Sequence, residues 1–239
     1  FFLSWENFRP FLADFSRKEI LLLHIYKKNQ AQTEQYSPLF ITFASQPLKH
    51  RIMKILIIGG TGTISSAITR QLAESEHELW LLNRGNRKQE VPANVKQIIA
   101  NIDDEADVLR QIGDTMFDAV CEFIGFVPAQ VERDHRLFAG RTRQYVYISS
   151  ASAYAKPVRN YIINEGTSLC NPHWEYSRNK IACEELLMKY YREEGFPVTI
   201  IRPSHTYCER SVPVGLHGLK GSWQVLKRMM EGKPVIVHG

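Results

Sequence analysis

From position 53 onward the chain alternates between short apolar runs and longer segments with helical spacing. The first run, 54–58, is apolar and ends in two glycines, as a buried parallel strand does. Runs of this kind predict six strands, at 54–58, 78–82, 95–99, 117–123, 144–149 and 198–202. A further strand is predicted to begin near 234–237.

The segments between these runs predict helices. Ile64, Ile68 and Leu72 fall on one face of a helix predicted at 65–74. A proline near the start favours a helix at 128–138, and Gly195 stands where a helix at 176–194 would end. The other predicted helices are 104–112 and 223–230. Strands that alternate with helices indicate an α/β fold with a doubly wound parallel sheet.

The first 52 residues differ in composition from the rest. They contain seven of the 12 phenylalanines, none of the 14 glycines and +3 of the net charge of +5. Charged residues interrupt their apolar stretches, so they do not form a secretory signal. Met53 is the first methionine and opens the first strand. We therefore expect 1–52 to be upstream sequence translated in frame and 53–239 to be the working domain; the alternative is an accessory segment cut from a longer chain.

The composition excludes several classes of protein. A chain that is 44% hydrophobic and 23% charged can bury a core, and no apolar run approaches the ~20 residues of a membrane span. A pI of 9.0 is typical of nucleic-acid binders, but 53–239 is nearly charge-balanced, so a nucleic-acid partner is not expected. The four cysteines form no CxxC pair and the histidines no metal motif, which indicates reduced thiols, a cytoplasmic protein and no metal site.

A glycine-rich turn joins the first strand to the first helix. Glycines there let the backbone approach a pyrophosphate, and the helix N-terminus presents unpaired N–H groups. The alternative is a tight turn with no ligand. The candidate cofactor-binding residues of this turn are Gly59, Gly60, Thr61, Gly62, Thr63 and Ile64.

The residues after the second strand, Asn83 and Arg84, stand where NAD-binding proteins usually have an acidic residue. An arginine suits the additional phosphate of NADP, so we expect NADP to be preferred over NAD. Arg87 is the second candidate for this role, and a solvated surface arginine is the alternative for both. Asp103, after the third strand, is expected either to accept from the adenine amino group or to cap the next helix.

Tyr176 and Lys180 are four residues apart on one face of the long predicted helix. A tyrosine pKa near ~10 is too high for an efficient base at neutral pH, and a nearby ammonium group lowers it. Ser150 lies 26 residues before Tyr176 at the end of the fifth strand, where it can hold a substrate hydroxyl or carbonyl.

Taken together, the motifs GGTGTIS, YISSASAY, YSRNK and IRPSHTY resemble the extended short-chain dehydrogenase/reductases, and more narrowly the NAD-dependent epimerase/dehydratase family. The resemblance covers 53–239 and implies a Rossmann fold with a nicotinamide cofactor. It implies Tyr176 as general acid/base, Lys180 as ribose ligand and Ser150, with Ser149 second, as the residue that orients the substrate. Further residues that the resemblance places along the cofactor are Phe123 with the loop 123–126, Ser149, Pro203 and Ser204.

The resemblance also implies a nucleotide sugar or similar polyol derivative as substrate and a possible homodimer through the helix 176–194. It leaves open whether the reaction is a dehydrogenation, an epimerisation or a dehydration. The chain departs from the family at Ser65, at Asn83 and Arg84, and at Cys208. Family members extend well beyond the length of this chain, so we expect the C-terminal substrate lobe to be largely missing.

A second hypothesis is a binding protein. The glycine turn and the stretch after the second strand also resemble chloroplast stem-loop RNA-binding relatives of the same fold. RNA binding favours a clustered basic and aromatic surface. The charge balance of 53–239 and the presence of Ser150, Tyr176 and Lys180 favour the enzyme.

Overall fold

The computed structural model describes residues 51–86, 91–158, 160–206 and 223–235. Within these ranges the chain forms six strands, five α-helices and a short 3₁₀ turn. The strands are β1 (Lys54–Ile58), β2 (Glu78–Asn83), β3 (Lys96–Ile99), β4 (Ala119–Glu122), β5 (Tyr145–Ile148) and β6 (Val198–Ile201). The helices are α1 (Thr63–Ala73), α2 (Glu105–Ile112), α3 (Pro128–Phe138), α4 (Glu175–Glu194) and α5 (Trp223–Met230), and the 3₁₀ turn is Ala151–Ala153.

The six strands form one sheet in the order β3-β2-β1-β4-β5-β6, and every neighbouring pair is parallel. This confirms the predicted doubly wound α/β sheet. The strand order reverses between β1 and β4. In open sheets of this kind the ligand crevice lies outside the carboxyl ends of the strands at that reversal.

The sheet is the centre of the hydrophobic core. The side chains of 55–58 in β1 are fully buried, because helices cover both faces of the sheet. Right-handed crossovers that run from β1 to β2 and from β3 towards β6 place α1 on one face and α2, α3 and α4 on the other. In agreement, α2 packs against α3, and α3 against α4.

The element ends follow local chemistry. Asp104 caps α2 by accepting from the Asp107 amide at 3.1 Å, and Gly195 ends α4 in the left-handed conformation, with φ +71°. The α1 helix begins earlier than predicted because Gly62 is already extended and serves as its N-cap.

One predicted strand is not present where the structure describes its residues. The strand predicted near 234–237 is absent at Pro234 and Val235, and 236–239 is not described. The described helices include none that is both long and apolar enough to span a membrane.

Candidate active site

A cleft of about 770 Å³ lies at the carboxyl ends of the strands. It brings together nearly all the residues that the sequence singled out. Those that line it are Gly59, Thr61, Gly62, Thr63, Ile64, Asn83, Arg84, Asp103, Phe123, Ser149, Ser150, Tyr176, Lys180, Pro203 and Ser204. Gly60 does not line it, and Arg87 lies outside the described residues.

The glycines of the turn have different structural roles. Gly59 has φ +78°, and a Cβ there would come within 2.4 Å of the Ile124 side chain. A Cβ on the buried Gly60 would come within 2.0 Å of Leu81 Cδ1. Gly60 therefore permits α1 to approach the sheet, whereas Gly59 permits the loop after β4 to approach the turn.

Ser65, which replaces the third glycine of the family pattern, locks the turn. Its hydroxyl donates to the Gly59 carbonyl at 2.8 Å and accepts from the Gly62 amide at 2.9 Å. The amides of Thr63 and Ile64 belong to the first turn of α1, where backbone N–H groups have no intrahelical partner. Since both residues line the cleft, this helix end fits an anionic group such as a dinucleotide pyrophosphate.

The rim of the cleft is formed by the loop after β2. The Asn83 side chain accepts from the Gly85 amide at 2.7 Å, and Gly85 has φ +70°. This tight turn leaves the Arg84 side chain exposed beside the cleft. A guanidinium in that position suits a phosphate group on the ribose of a dinucleotide.

Asp103 lies at the cleft and not at a helix cap. The neighbouring Asp104 caps α2, so the N-cap interpretation of Asp103 was wrong. The Asp103 carboxylate instead pairs with Arg133 of α3, with 2.6 Å between Asp103 Oδ1 and Arg133 Nη1.

The α4 helix places Tyr176 one turn before Lys180, and the end of β5 places Ser150 beside them. Burial raises the pKa of the Tyr176 phenol, and a hydrogen bond with the Ser150 hydroxyl opposes that rise. Ser150 Oγ also accepts from the Ser152 amide at 3.1 Å, which fixes its side chain. The arrangement can hold a phenol and a hydroxyl against one substrate oxygen.

Lys180 is almost fully buried, with 1% of its surface exposed. Its ammonium group donates to the carbonyls of Gly125 and Ile148, both at 2.7 Å, and to the Tyr147 hydroxyl at 3.3 Å. Burial lowers its pKa to about 8. The structure does not show Lys180 lowering the pKa of Tyr176, so that effect stays a prediction.

The two candidate serines are in different environments. The Ser149 hydroxyl donates to Glu184, a buried residue one turn after Lys180. Glu184 also pairs with Arg202, with 2.6 Å between Oε2 and Nη2. Because Ser149 is engaged in this network and Ser150 bonds to Tyr176, Ser150 is the better candidate to orient a substrate.

Several cleft residues were missed by the sequence analysis. Gln130 accepts from the amides of Phe126 and Val127, at 2.6 and 3.2 Å, and so fixes the loop after β4. Its place three residues into a helix that begins with proline is a capping signal. Trp174, just before α4, has its ring centroid 4.8 Å from that of Tyr176.

Arg133 was missed as well. The signal was a charged pair, 133–134, within the apolar face of α3, which includes Val131 and Leu137.

As for metals, the described ranges contain no group of three or more His, Cys, Asp or Glu side chains arranged to hold an ion.

Comparison with known proteins gives a family match over 55–239, to the model described as the NAD dependent epimerase/dehydratase family. A UDP-glucose 4-epimerase of Lactobacillus helveticus is 27% identical over 170 residues, which cover 63% of this chain and 51% of that protein. The chain thus spans about half the length of this curated relative.

Solved structures support the same fold. The UDP-Glc/GlcNAc 4-epimerase of Campylobacter jejuni matches with a TM-score of 0.56 and 21% identity, covering 63% of this chain and 53% of that one. A UDP-N-acetylglucosamine 4-epimerase of Methanobrevibacter ruminantium, in complex with UDP-N-acetylmuramic acid, matches with a TM-score of 0.56 and 17% identity over 79% and 66% of the two chains.

Proposed function

The chain belongs to the NAD dependent epimerase/dehydratase family, and we propose that it binds a nicotinamide dinucleotide in the cleft and acts on a hydroxyl group of a nucleotide sugar. The observation that carries the proposal is the convergence of the glycine turn with Ser150, Tyr176 and Lys180 on one cleft. Epimerisation is the outcome we favour, because the relatives named above are UDP-sugar 4-epimerases.

The cofactor would lie along the carboxyl ends of the strands. Gly62, Thr63 and Ile64 would face its pyrophosphate, and Pro203 and Ser204 would pass its nicotinamide end. We propose that NADP is preferred over NAD, because exposed Arg84 stands beside the cleft where an acidic ribose ligand would otherwise be expected.

The proposed chemistry divides between the cofactor and the protein. A bound dinucleotide would supply the hydride acceptor, and later the hydride donor, for the carbinol carbon of the sugar. Tyr176 takes the proton from the substrate hydroxyl as that carbon is oxidised to a ketone and returns it when the ketone is reduced. Reduction on the opposite face gives the epimer, so no other oxidant is consumed.

Lys180 would have two effects. Its positive charge favours the phenolate form of Tyr176, and its ammonium group would bind the nicotinamide ribose. An ammonium has three donors, and those of Lys180 are directed to Gly125, Ile148 and Tyr147. A ribose hydroxyl would therefore replace one of these acceptors, and the longest bond, to Tyr147, is the one we expect to be exchanged.

The first test is a titration of the chain with NADPH, NADH and a stem-loop RNA at two salt concentrations. Binding of a dinucleotide in the micromolar range supports the proposal, and tighter NADPH binding supports the role of Arg84. Salt-sensitive RNA binding without dinucleotide binding would overturn the enzyme in favour of the RNA-binding alternative.

The second test is turnover with UDP-glucose and UDP-N-acetylglucosamine as probes. Tyr176→Phe should abolish epimerisation and leave dinucleotide affinity nearly unchanged, since the hydroxyl acts on the proton alone. Tyr161→Phe is the matched control, because Tyr161 is 92% exposed. Turnover that persists in Tyr176→Phe would remove Tyr176 from the acid/base role.

Assembly and location are also predictions. We propose that α4 contributes to a homodimer, which sedimentation would test, and that the protein is cytoplasmic, which cell fractionation would test.

A further inference from the structure

A buried charge cluster lies directly behind the part of the cleft that contains Asp103. It consists of Glu122 at the end of β4, Arg133 and Asp134 of α3, and Tyr145 of β5. All four side chains are buried, with 4% of the Arg133 surface and none of the Glu122, Asp134 or Tyr145 surface exposed. Arg133 also lines the cleft, so the cluster ends at the candidate site.

The contacts of Arg133 divide between the interior and the cleft. Its Nε and Nη2 donate to Asp134 Oδ1 at 2.9 and 2.7 Å, and the Tyr145 hydroxyl donates to the other Asp134 oxygen at 2.7 Å. Its remaining nitrogen, Nη1, donates to Asp103 Oδ1 at 2.6 Å. One planar guanidinium therefore joins a buried carboxylate to a carboxylate that is 66% exposed.

The buried end of this bridge is rigid for an electrostatic reason. Burial and the charge of Asp134 raise the pKa of Glu122 well above its ordinary value. Arg133 donates two hydrogen bonds to Asp134, and its Nη2 lies 3.9 Å from Glu122 Oε2, so it is the counter-charge of this pair of carboxyl groups. Separating a buried charge from its counter-charge is strongly unfavourable. The guanidinium is therefore held in one position, and from there its Nη1 reaches the loop after β3.

We propose that Arg133 is a positioning residue for adenine recognition. It holds Oδ1 of Asp103 and thereby fixes the carboxylate so that Oδ2 accepts a hydrogen bond from the adenine 6-amino group of the dinucleotide. The inference rests on the proposed function, because it requires a dinucleotide in the cleft. A lysine could not replace the arginine, since one ammonium lacks the planar fork that reaches both carboxylates.

The test compares each dinucleotide with its hypoxanthine analogue, which has a carbonyl oxygen where adenine has the amino group. Dissociation constants are measured for NADH, NADPH and the two analogues, and the quantity of interest is the ratio of analogue to parent. For the unmodified chain we expect a ratio of about ten or more, the usual worth of a hydrogen bond to a charged group.

The variants separate positioning from general damage. Arg133→Lys should lower the ratio to below about three by weakening the parent dinucleotide more than the analogue. Asp103→Ala should bring it to about one, and adding Arg133→Lys to Asp103→Ala should change it no further, because Arg133 acts through Asp103. Arg136→Met is the matched control: it breaks the exposed pair of Arg136 with Glu105, one turn along α3, and should keep the ratio of the unmodified chain.

Each outcome has one meaning. Equal weakening of parent and analogue in Arg133→Lys, or an unchanged ratio, overturns the inference and leaves the proposed function intact. A ratio of about one in the unmodified chain also overturns it, and no binding of any dinucleotide overturns the proposed function itself. If Arg133→Lys does not fold, Asp134→Asn, which keeps Arg133 but loosens its anchor, should lower the ratio; an unchanged ratio there counts against the inference.

Discussion

Substitutions at two glycines of the turn after β1, Gly60 and Gly62, should have different effects, the first on stability and the second on cofactor binding. A methyl group at Gly60 would lie 2.0 Å from Leu81 Cδ1, 3.0 Å from Thr69 Oγ1 and 3.1 Å from Ile57 Cγ2. A methyl group at Gly62 would meet only the Ser65 hydroxyl, at 3.3 Å, and Gly62 has φ −87° and ψ 179°, which alanine adopts without strain. Gly60→Ala and Gly62→Ala are therefore a matched pair.

The magnitudes follow from these contacts. Overpacking of a close-packed interior lowers the free energy of unfolding by about 1–3 kcal/mol, and the lower entropy of an unfolded chain with alanine returns about 0.4–1 kcal/mol. Gly60→Ala should thus be less stable by about 1–2 kcal/mol, which lowers Tm by roughly 2–8 °C in a domain of this size. For Gly62→Ala the same entropy gain offsets the poorer N-cap, so stability should stay within about 0.5 kcal/mol.

Urea unfolding followed by circular dichroism measures the first effect, and titration with NADPH and NADH the second. Gly62→Ala adds a methyl group to a residue that lines the cleft, so it should weaken dinucleotide binding while remaining stable. The reasoning is refuted if Gly60→Ala is as stable as the unmodified chain, or if Gly62→Ala loses as much stability as Gly60→Ala.

Three further predictions concern the titratable groups around the cleft. Burial lowers the pKa of Lys180 from its ordinary 10.5 to about 8, so between these pH values the unfolded chain binds one more proton than the folded chain. The free energy of unfolding of the unmodified chain, measured in urea relative to Lys180→Met, should therefore rise by up to about 1.4 kcal/mol per pH unit from pH 8 to 10.5. A difference that does not change with pH would contradict this. Ser150→Ala should raise the pKa of Tyr176 in a phenolate absorbance titration referenced to Tyr176→Phe, whereas Ser149→Ala should not; equal effects would show that the two serines are not distinguished. Glu184→Gln leaves Arg202 without its counter-charge and should reduce the free energy of unfolding by about 3 kcal/mol. Glu185→Gln, at an exposed position, should reduce it by less than about 0.5 kcal/mol, and similar values for both variants would mean that the buried pair is not stabilising.

Much of the fold could be predicted from local patterns. The bounds of α3 and α5 match the predicted helices, and Gly195 ends α4 as expected, because proline near a helix start and glycine after a helix end act through the backbone of the residue itself. The strand ends differ by a residue or two. For example, Phe117 was assigned to β4 but makes only an isolated bridge to Thr142, because a strand ends where its partner ends.

The sequence pointed to some residues of the candidate site and missed others. Residues within a contiguous motif, such as those at 59–64 or at Tyr176 and Lys180, could be singled out because their spacing along the chain carries the information. Gly60 shows the limit of that reasoning, since the motif includes it but its contacts are with Leu81 across the helix–sheet interface. The sequence ranked Ser150 before Ser149 as the residue that orients the substrate, and the hydrogen bond of Ser149 to Glu184 supports that order.

The sequence by itself determined the order of strands and helices along the chain and the position of the glycine turn, because each depends on residues close together in the chain. Only the tertiary structure decided that Asp103 pairs with Arg133, 30 positions later, and that Lys180 is enclosed by the carbonyls of Gly125 and Ile148. Such partners are set by which strand ends and helix faces meet in space. A buried charge must find a counter-charge or a hydrogen-bond acceptor there, and that requirement is met by whichever groups the packed elements bring within reach.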